Sequence, residues 1–585
     1  MLKKGLPLTL FLFFQVLCLA AQSSLVWWNP ARHAFPVIEG QAWTQELQQP
    51  YDRLPGRAEK QVRPAVWNLS RQSAGLFIRF KSNSDQITIR YQIKGNQALP
   101  HMPATGVSGV DLYARSPHGD FWWCNGKYAF GDTISYRYTS LQTSEKGQEY
   151  RLYLPLYTSV QWLEIGIPEG KTLTPLALRP EKPIVVYGTS IAQGACASRP
   201  GMAWTAQLER QIDHPLLNLG FSGNGKLEPE LINLISEIDA RLYVLDCLPN
   251  LISTTDVKPA EVKKRILSSV RTLRQKRPTV PILLVEHAGY TDGFSNPVRA
   301  ALVTEVNTVM QEAYAELKAE MKGSVYLLTK TALNLSPDAM VDGTHPSDLG
   351  MQQYAQAYER IIRSILNEPV GTLSTTIPKS QSRDFYDFET RHRDVITRLK
   401  THPPRIVFLG NSITHFWGGE PKTKIVQGAS SWNRLMEPRK VQNLGFGWDR
   451  IENVLWRVYH GQLDGYQAKQ VLVMIGTNNL EGNTDEEITD GLVFLMKAIQ
   501  SRQPQAELVW IGILPRRGQE ERIHRLNQHF AQRAGQLNIR FLQPGTNLLQ
   551  ADGKINEAWF TDGLHPNEQG YERLAEKLEP FLVGR

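Results

Sequence analysis

At 585 residues the chain is too long for one core, because single domains stop growing near about 250 to 300 residues, so two to four domains are expected. Its formal charge of +8 and pI near 9.1 come from Lys and Arg dispersed among carboxylates, with no basic arm or arginine-rich helix. That distribution argues against nucleic acid as a partner and reads as a solvated surface with mild attraction for acidic glycans. Clustered metal-ligand spacings are absent too, so no metal or other cofactor is expected.

The amino terminus carries Lys3 and Lys4, an apolar run over residues 6–21 and polar Gln22-Ser23-Ser24, the pattern of a signal peptide over residues 1–21. The run is shorter than the ~20 residues of a membrane helix, and no later segment approaches that length. The mature chain is therefore expected to be exported, periplasmic or secreted, without stable membrane insertion. Cys18 raises the alternative of a lipid anchor, but the bulky Leu17 before it disfavours lipoprotein processing. Of the other cysteines, Cys124, Cys196 and Cys247, the last two lie near proposed site motifs and form the candidate disulfide; two free buried thiols is the alternative.

Residues 22–178 are rich in Trp, Tyr and Thr. Short alternating runs at 75–80, 86–91, 109–114, 149–154 and 160–166, separated by turn residues and without convincing amphipathic helices, predict an antiparallel β-sandwich. Its paired aromatics, Trp27-Trp28 and Trp122-Trp123, could be packing residues or a sugar-stacking platform.

From 179 to 368 the character changes. Apolar strands at 184–187, 242–245, 282–285 and 325–328 alternate with helical patterns at 203–211, 260–276, 298–321 and 349–366, which indicates a parallel sheet covered on both faces. Residues 369–383, with Pro, Gly, Ser and Thr, read as a linker. A charged helix over about 384–400 opens the last unit, 384–585, where strands at 406–409, 471–475, 508–511 and 539–542 restore the alternation. The two α/β units repeat: Ser190 and Ser412 lie 222 positions apart, Asn218 and Asn443 225, Asn250 and Asn478 228, and His345 and His565 220. Offsets this constant indicate a duplicated domain.

Each copy ends its first strand in a small hydroxyl, as Gly188-Thr189-Ser190 and Gly410-Asn411-Ser412, and closes with Asp-Gly-x-His-Pro. A serine hydroxyl is a weak nucleophile and needs a base, a group that orients the base, and donors aimed at the oxyanion. Asp342 three residues before His345, and Asp562 before His565, let one short loop supply base and orienter together. Donors are expected from the Asn478 amide, the Ser412 N–H and the turn Gly445-Phe446-Gly447-Trp448-Asp449.

In this order of motifs both halves resemble SGNH hydrolases of the GDSL esterase/lipase superfamily. Ser412, a Gly-turn position, Asn478 and His565 match the four family markers. The stretch from Asn443 to Arg457 is similar to the branch of platelet-activating-factor acetylhydrolase catalytic subunits. The first half is similar to a branch preceded by a sandwich bearing Gly-x-Asp-Leu-Tyr, here Gly109-Val110-Asp111-Leu112-Tyr113. The resemblance implies two tandem flavodoxin-like α/β/α domains after a jelly-roll-like sandwich, with Gly223, Asn250, Trp448 and Asn478 at the oxyanion positions.

Two departures stand out. Trp448 replaces the marker glycine that Gly223 supplies in the first half, which puts its turn in question because Trp is costly at positive φ. The Gly-x-Asn-Asp block of the first half is replaced by Asp246-Cys247-Leu248-Pro249-Asn250. The expected activity is a serine esterase that removes O-acetyl groups from glycans through an acyl-enzyme. The alternatives are a lysophospholipase or short-chain lipid acylhydrolase, and a chain in which one half is a scaffold or glycan-binding module.

Overall fold

The computed structural model of the chain describes residues 24–252, 258–321, 323–383 and 386–583. The signal-peptide reading of residues 1–21 lies outside the described residues.

The alternating runs of the first unit form antiparallel strands in two sheets. One holds, in spatial order, Leu25–Trp28, Ser159–Pro168, Ile87–Lys94, Ile134–Tyr138 and Gly126–Ala129. The other holds Leu173–Pro175, Phe77–Ser82, Gln148–Tyr153, Asp111–Arg115 and Phe121–Trp123, with Ile38–Glu39 beside Phe77–Ser82. The period of two sorts the side chains: Ile78, Phe80, Ile87, Ile89, Leu112 and Leu152 meet between the sheets. The alternate residues of the second sheet are not solvated either. Phe77, Tyr113 and Tyr153 pack on the first α/β half, and Arg79, Arg115, Glu149 and Arg151 are buried with them.

Each α/β half contains, among the described residues, five parallel strands. In the first these are β1 (Ile184–Gly188), β2 (Leu216–Gly220), β3 (Leu242–Asp246), β4 (Ile282–Val285) and β5 (Val325–Leu328). The second has β6 (Ile406–Gly410), β7 (Val441–Gly445), β8 (Gln470–Met474), β9 (Glu507–Ile511) and β10 (Arg540–Leu542). Spatial order is β2-β1-β3-β4-β5 and β7-β6-β8-β9-β10. β1 and β6 are buried throughout, with alternate side chains entering apolar clusters on the two faces of the sheet. Both strands end where the strand order reverses, which opens a crevice at their carboxyl ends. β2 and β7 escaped the sequence reading because polar Asn218 and Asn443 interrupt their short apolar runs.

The stretch read as a linker is tied down along its length. Thr375 Oγ1 donates to the Glu487 carbonyl at 2.9 Å, Asn453 Nδ2 to the Lys379 carbonyl at 2.8 Å, and the Ser382 N–H to the Pro117 carbonyl at 3.4 Å. Residues 116–120 of the sandwich thereby reach the second half.

A buried ionic cluster joins all three units at Asp213. Arg115 and Arg151 of the sandwich each bind its carboxylate, Arg179 stands 3.5 Å from it, and Trp456 of the second half donates Nε1 to it at 3.1 Å. Burial works to raise the Asp213 pKa, but Arg115, Arg151 and Arg179 outweigh it and hold the carboxyl well below the usual 3.8. A carboxylate so depressed stabilises the fold above its unfolded pKa and loses that contribution as pH falls toward its folded value. Asp213→Asn should therefore lower unfolding free energy at pH 7 by about 3 to 5 kcal/mol, as when one partner leaves a buried ion cluster. In denaturant titrations the gap to wild type should narrow below about pH 4. A gap independent of pH would contradict the electrostatic account.

Candidate active sites

At the carboxyl end of β1, Thr189 caps the short helix Ser190–Gln193 by accepting from the Ile191 N–H at 3.3 Å. Asn411 does the same for Ser412–His415, from Ile413 at 2.9 Å. The strand-to-helix break presents each serine at the sheet edge, and both serines are almost fully buried.

The closing motifs bring Asp342 with His345, and Asp562 with His565, to that edge. Gly343 and Gly563 adopt φ of +77° and +81°, a left-handed bend that folds each Asp-Gly-x-His segment back on itself. Asp342 Oδ1 then accepts the Thr344 and His345 N–H groups at 3.0 and 2.8 Å, while its Oδ2 lies 2.7 Å from His345 Nδ1. His345 Nε2 is 2.8 Å from Ser190 Oγ. The second half repeats this: Asp562 Oδ2 to His565 Nδ1 is 2.7 Å, and His565 Nε2 to Ser412 Oγ is 2.8 Å. Both carboxyls sit below the usual 3.8 because the hydrogen bonds they accept from the histidine ring and the loop N–H groups outweigh partial burial. Each orienting group therefore stays anionic well into the acid range.

The Gly-rich turns complete the crevice. Phe221 N–H donates to Gly188 O, and Phe446 N–H to Gly410 O, both at 3.0 Å, which locks each turn onto the end of β1 or β6. Gly223 has φ +68° and Trp448 φ +65°. The Trp does not change the turn: it accepts the left-handed conformation, a strain of about 1 to 2 kcal/mol, with its side chain 51% exposed. The backbone N–H groups of Ser190, Gly223, Ser412 and Trp448 donate to no group among the described residues. Asn250 and Asn478 sit in 3-10 turns after β3 and β8, as the last residue of Leu248–Asn250 and the middle one of Thr477–Asn479, whose last residue, Asn479, accepts the Ile451 N–H at 3.0 Å. Asn250 Oδ1 accepts from the Gly225 N–H at 3.1 Å, whereas Asn478 Nδ2 donates to the Asp449 carbonyl at 2.9 Å. The altered block of the first half thus still delivers its amide to the turn.

Several supporting residues were not foreseen. Gln193 Oε1 accepts the Ser222 N–H at 2.9 Å, and at the matching position His415 Nδ1 accepts the Gly447 N–H at 3.1 Å. Burial, with Arg391 and Arg457 nearby, pushes the His415 pKa down to about 2, so the ring is the neutral acceptor that this role demands. Asn218 Nδ2 donates to Ala192 O at 2.7 Å and Asn443 Nδ2 to Thr414 O at 2.7 Å, which ties each nucleophile helix to the neighbouring strand. The carbonyl after each serine is held differently: Trp204 Nε1 donates to Ile191 O at 3.0 Å, and Tyr571 Oη to Ile413 O at 2.7 Å. The constant Asn218/Asn443 offset is the sequence signal that marks this pair.

The sandwich also reaches the first site, with the His101 ring centroid 5.8 Å from that of His345. Cys196 and Cys247 do not bridge: with Cys124 they are free, buried thiols. Among the described residues no group of three or more His, Cys, Asp or Glu could hold a metal ion.

Comparison with known proteins agrees with this geometry. Residues 181–363 and 408–573 each match the GDSL-like Lipase/Acylhydrolase family, and residues 25–173 match the N-terminus of Esterase_SGNH_hydro-type proteins. The platelet-activating factor acetylhydrolase IB subunit alpha1 of Bos taurus is 31% identical over 198 residues, covering 33% of this chain and 81% of that protein. The Homo sapiens subunit is 29% identical over 197 residues, with coverage of 33% and 81%. Among solved structures, a GDSL-like lipase candidate from Bacteroides ovatus superposes with a TM-score of 0.54 at 32% identity, over 59% of this chain and 98% of that one.

Proposed function

The chain belongs to the GDSL-like lipase/acylhydrolase (SGNH) family, with two such units behind one N-terminal sandwich, and from that premise we propose an exported serine esterase that removes O-acetyl groups from carbohydrates. The observation that carries the reading is the doubled Ser–His–Asp chain, each beside two unengaged backbone N–H groups. We read the strand order of both α/β units as flavodoxin-like and the sandwich as jelly-roll-like.

In each site the serine Oγ would attack the ester carbonyl carbon while its proton passes to His Nε2, and the carboxylate holds the resulting imidazolium. The tetrahedral oxyanion would be received by the N–H groups of Ser190 and Gly223, with the Asn250 amide, or of Ser412 and Trp448, with the Asn478 amide. Collapse expels the sugar alkoxide, which takes the proton from the histidine. Water, activated by the same base, then releases acetate and restores the serine.

The carbohydrate assignment rests on the sandwich. Trp122, Trp123 and Tyr128 are 67%, 47% and 57% exposed, on the edge strands Phe121–Trp123 and Gly126–Ala129. Exposed rings of this size at a sheet edge suit stacking against sugar rings. Replacing Trp122 and Tyr128 with Ala should raise KM for a polymeric acetylated glycan about thirtyfold, at roughly 1 kcal/mol per ring, while leaving 4-nitrophenyl acetate hydrolysis unchanged. Unchanged KM on the polymer would remove this support.

Similarity to the acetylhydrolase subunits favours a second reading, a short-chain lipid acylhydrolase. Acetate release measured over acetylated xylan, pectin, sialylated glycans and peptidoglycan, beside short- and medium-chain phospholipid esters, separates the two. Preference for a lipid ester over every glycan would sink the carbohydrate reading.

A further inference from the structure

The two active sites differ sharply at one place. The turn of the first runs Gly223-Asn224-Gly225; at the same offset the second runs Trp448-Asp449-Arg450. Where the first site presents two residues without side chains, the second presents an indole and a guanidinium. Arg383 joins them from the tied-down stretch of residues 369–383, its guanidinium 5.4 Å from the Trp448 ring.

Arg383 and Arg450 both line a cavity of about 130 Å³, together with His118 from the sandwich. Neither arginine has an ion-pair partner among the described residues. One carboxylate, Glu452, shares this cavity and feels Arg450 and Lys379, while its Oε2 accepts from Asn479 Nδ2 at 3.1 Å; Asp120 binds the Lys379 ammonium. Asp449 is paired with Arg457 at 2.6 Å. Burial and the nearby Arg450 together lower the Arg383 pKa, and both arginines, after burial, lower that of His118, so the two guanidiniums repel each other and disfavour charge on the imidazole beside them. This contrasts with Arg79, Arg115, Arg151 and Arg179, each bound to carboxylates in the junction. By chain geometry the Cα of Arg450 lies within about 7 Å of that of Trp448, whose N–H the proposed mechanism assigns to the oxyanion.

We propose that Trp448, Arg383 and Arg450 form a substrate-binding subsite in the second active site alone, which selects esters of acidic sugars by taking the sugar carboxylate between the two guanidiniums. The exposed indole supplies a face for the sugar ring, and planar guanidiniums suit a carboxylate through bidentate hydrogen bonds. The first site, with glycines at the corresponding positions, accepts neutral esters without this preference. The duplicated halves then divide the acyl esters of one mixed glycan between them. This proposal rests on the esterase reading of both halves given above.

The test uses the full chain carrying Ser190→Ala, so that only the second site turns over. Substrates are an acetylated galacturonate oligosaccharide, an acetylated xylose oligosaccharide and 4-nitrophenyl acetate. Arg383→Gln with Arg450→Gln should lower kcat/KM on the acidic oligosaccharide by at least about tenfold, the effect of losing one charge-assisted hydrogen bond, and change the other two by less than about twofold. Arg383→Lys with Arg450→Lys should recover part of the loss, and added salt should shrink the preference. The Ser412→Ala chain should show no such discrimination. Equal losses on acidic and neutral substrates, or none on the acidic one, would overturn the proposal. A phosphate-bearing short-acyl lipid showing the arginine dependence in place of the acidic glycan would overturn the sugar assignment. Failure of the esterase reading itself would be distinct: 4-nitrophenyl acetate hydrolysis by the Ser190→Ala chain would then be indifferent to Ser412→Ala.

Discussion

Replacing Ser190 and Ser412 together with Ala should lower hydrolysis of 4-nitrophenyl acetate by at least about 10,000-fold, the scale on which a serine hydrolase depends on its nucleophile. Each serine has a histidine Nε2 at 2.8 Å and no substitute hydroxyl bonded to that nitrogen among the described residues. The variant keeps its unengaged backbone donors and both histidines, so a small residual rate above water is expected and is not evidence of a second mechanism. The single variants should each remove one site's share, and a fluorophosphonate probe should mark Ser412 in Ser190→Ala and Ser190 in Ser412→Ala. Full activity in the double variant would refute the mechanism. Labelling confined to Ser412 in the wild-type chain would make the first half a scaffold, against its complete hydrogen-bonded Ser190, His345 and Asp342.

Asn478→Ala in the Ser190→Ala chain should reduce kcat by about 100- to 1,000-fold, the usual cost of removing one oxyanion donor. The amide nitrogen of Asn478 already donates one hydrogen to the Asp449 carbonyl, which orients the group and leaves its second hydrogen for the substrate. An interaction made only as the oxyanion develops should appear in kcat with KM little altered. Asn250→Ala in the Ser412→Ala chain should behave in the same way, since Asn250 uses its oxygen on the Gly225 N–H and keeps both amide hydrogens. A loss below about threefold in both chains would assign these amides to turn architecture alone.

The constant offset between the two Asp-Gly-x-His motifs makes these residues legible in the sequence. Those residues lie within one loop, where Asp342 with His345 and Asp562 with His565 are set by a left-handed glycine between them. The serines were legible for a similar reason, because a buried strand broken by Gly-x-Ser is a local pattern. The central strands were read from their apolar runs, but β2 and β7 were lost because a buried asparagine looks like a turn residue until its partners in the nucleophile helix are present.

The sequence by itself determined the α/β class with its antiparallel sandwich, the duplication, and which Ser, His and Asp the structure brings together in each half, since these follow from periodicity and from spacings of a few residues. Tertiary structure decided the rest. It alone placed Gln193 and His415 under the turns, held Trp448 in a left-handed conformation that a glycine would take freely, and left Cys196 and Cys247 unbridged. It also tied down a stretch of linker composition and carried the sandwich against the first site, with His101 beside His345, and against the second half, with His118 lining a cavity shared with Arg383 and Arg450. Such contacts join residues far apart in the chain, and they depend on how whole domains dock rather than on the preferences of neighbouring residues.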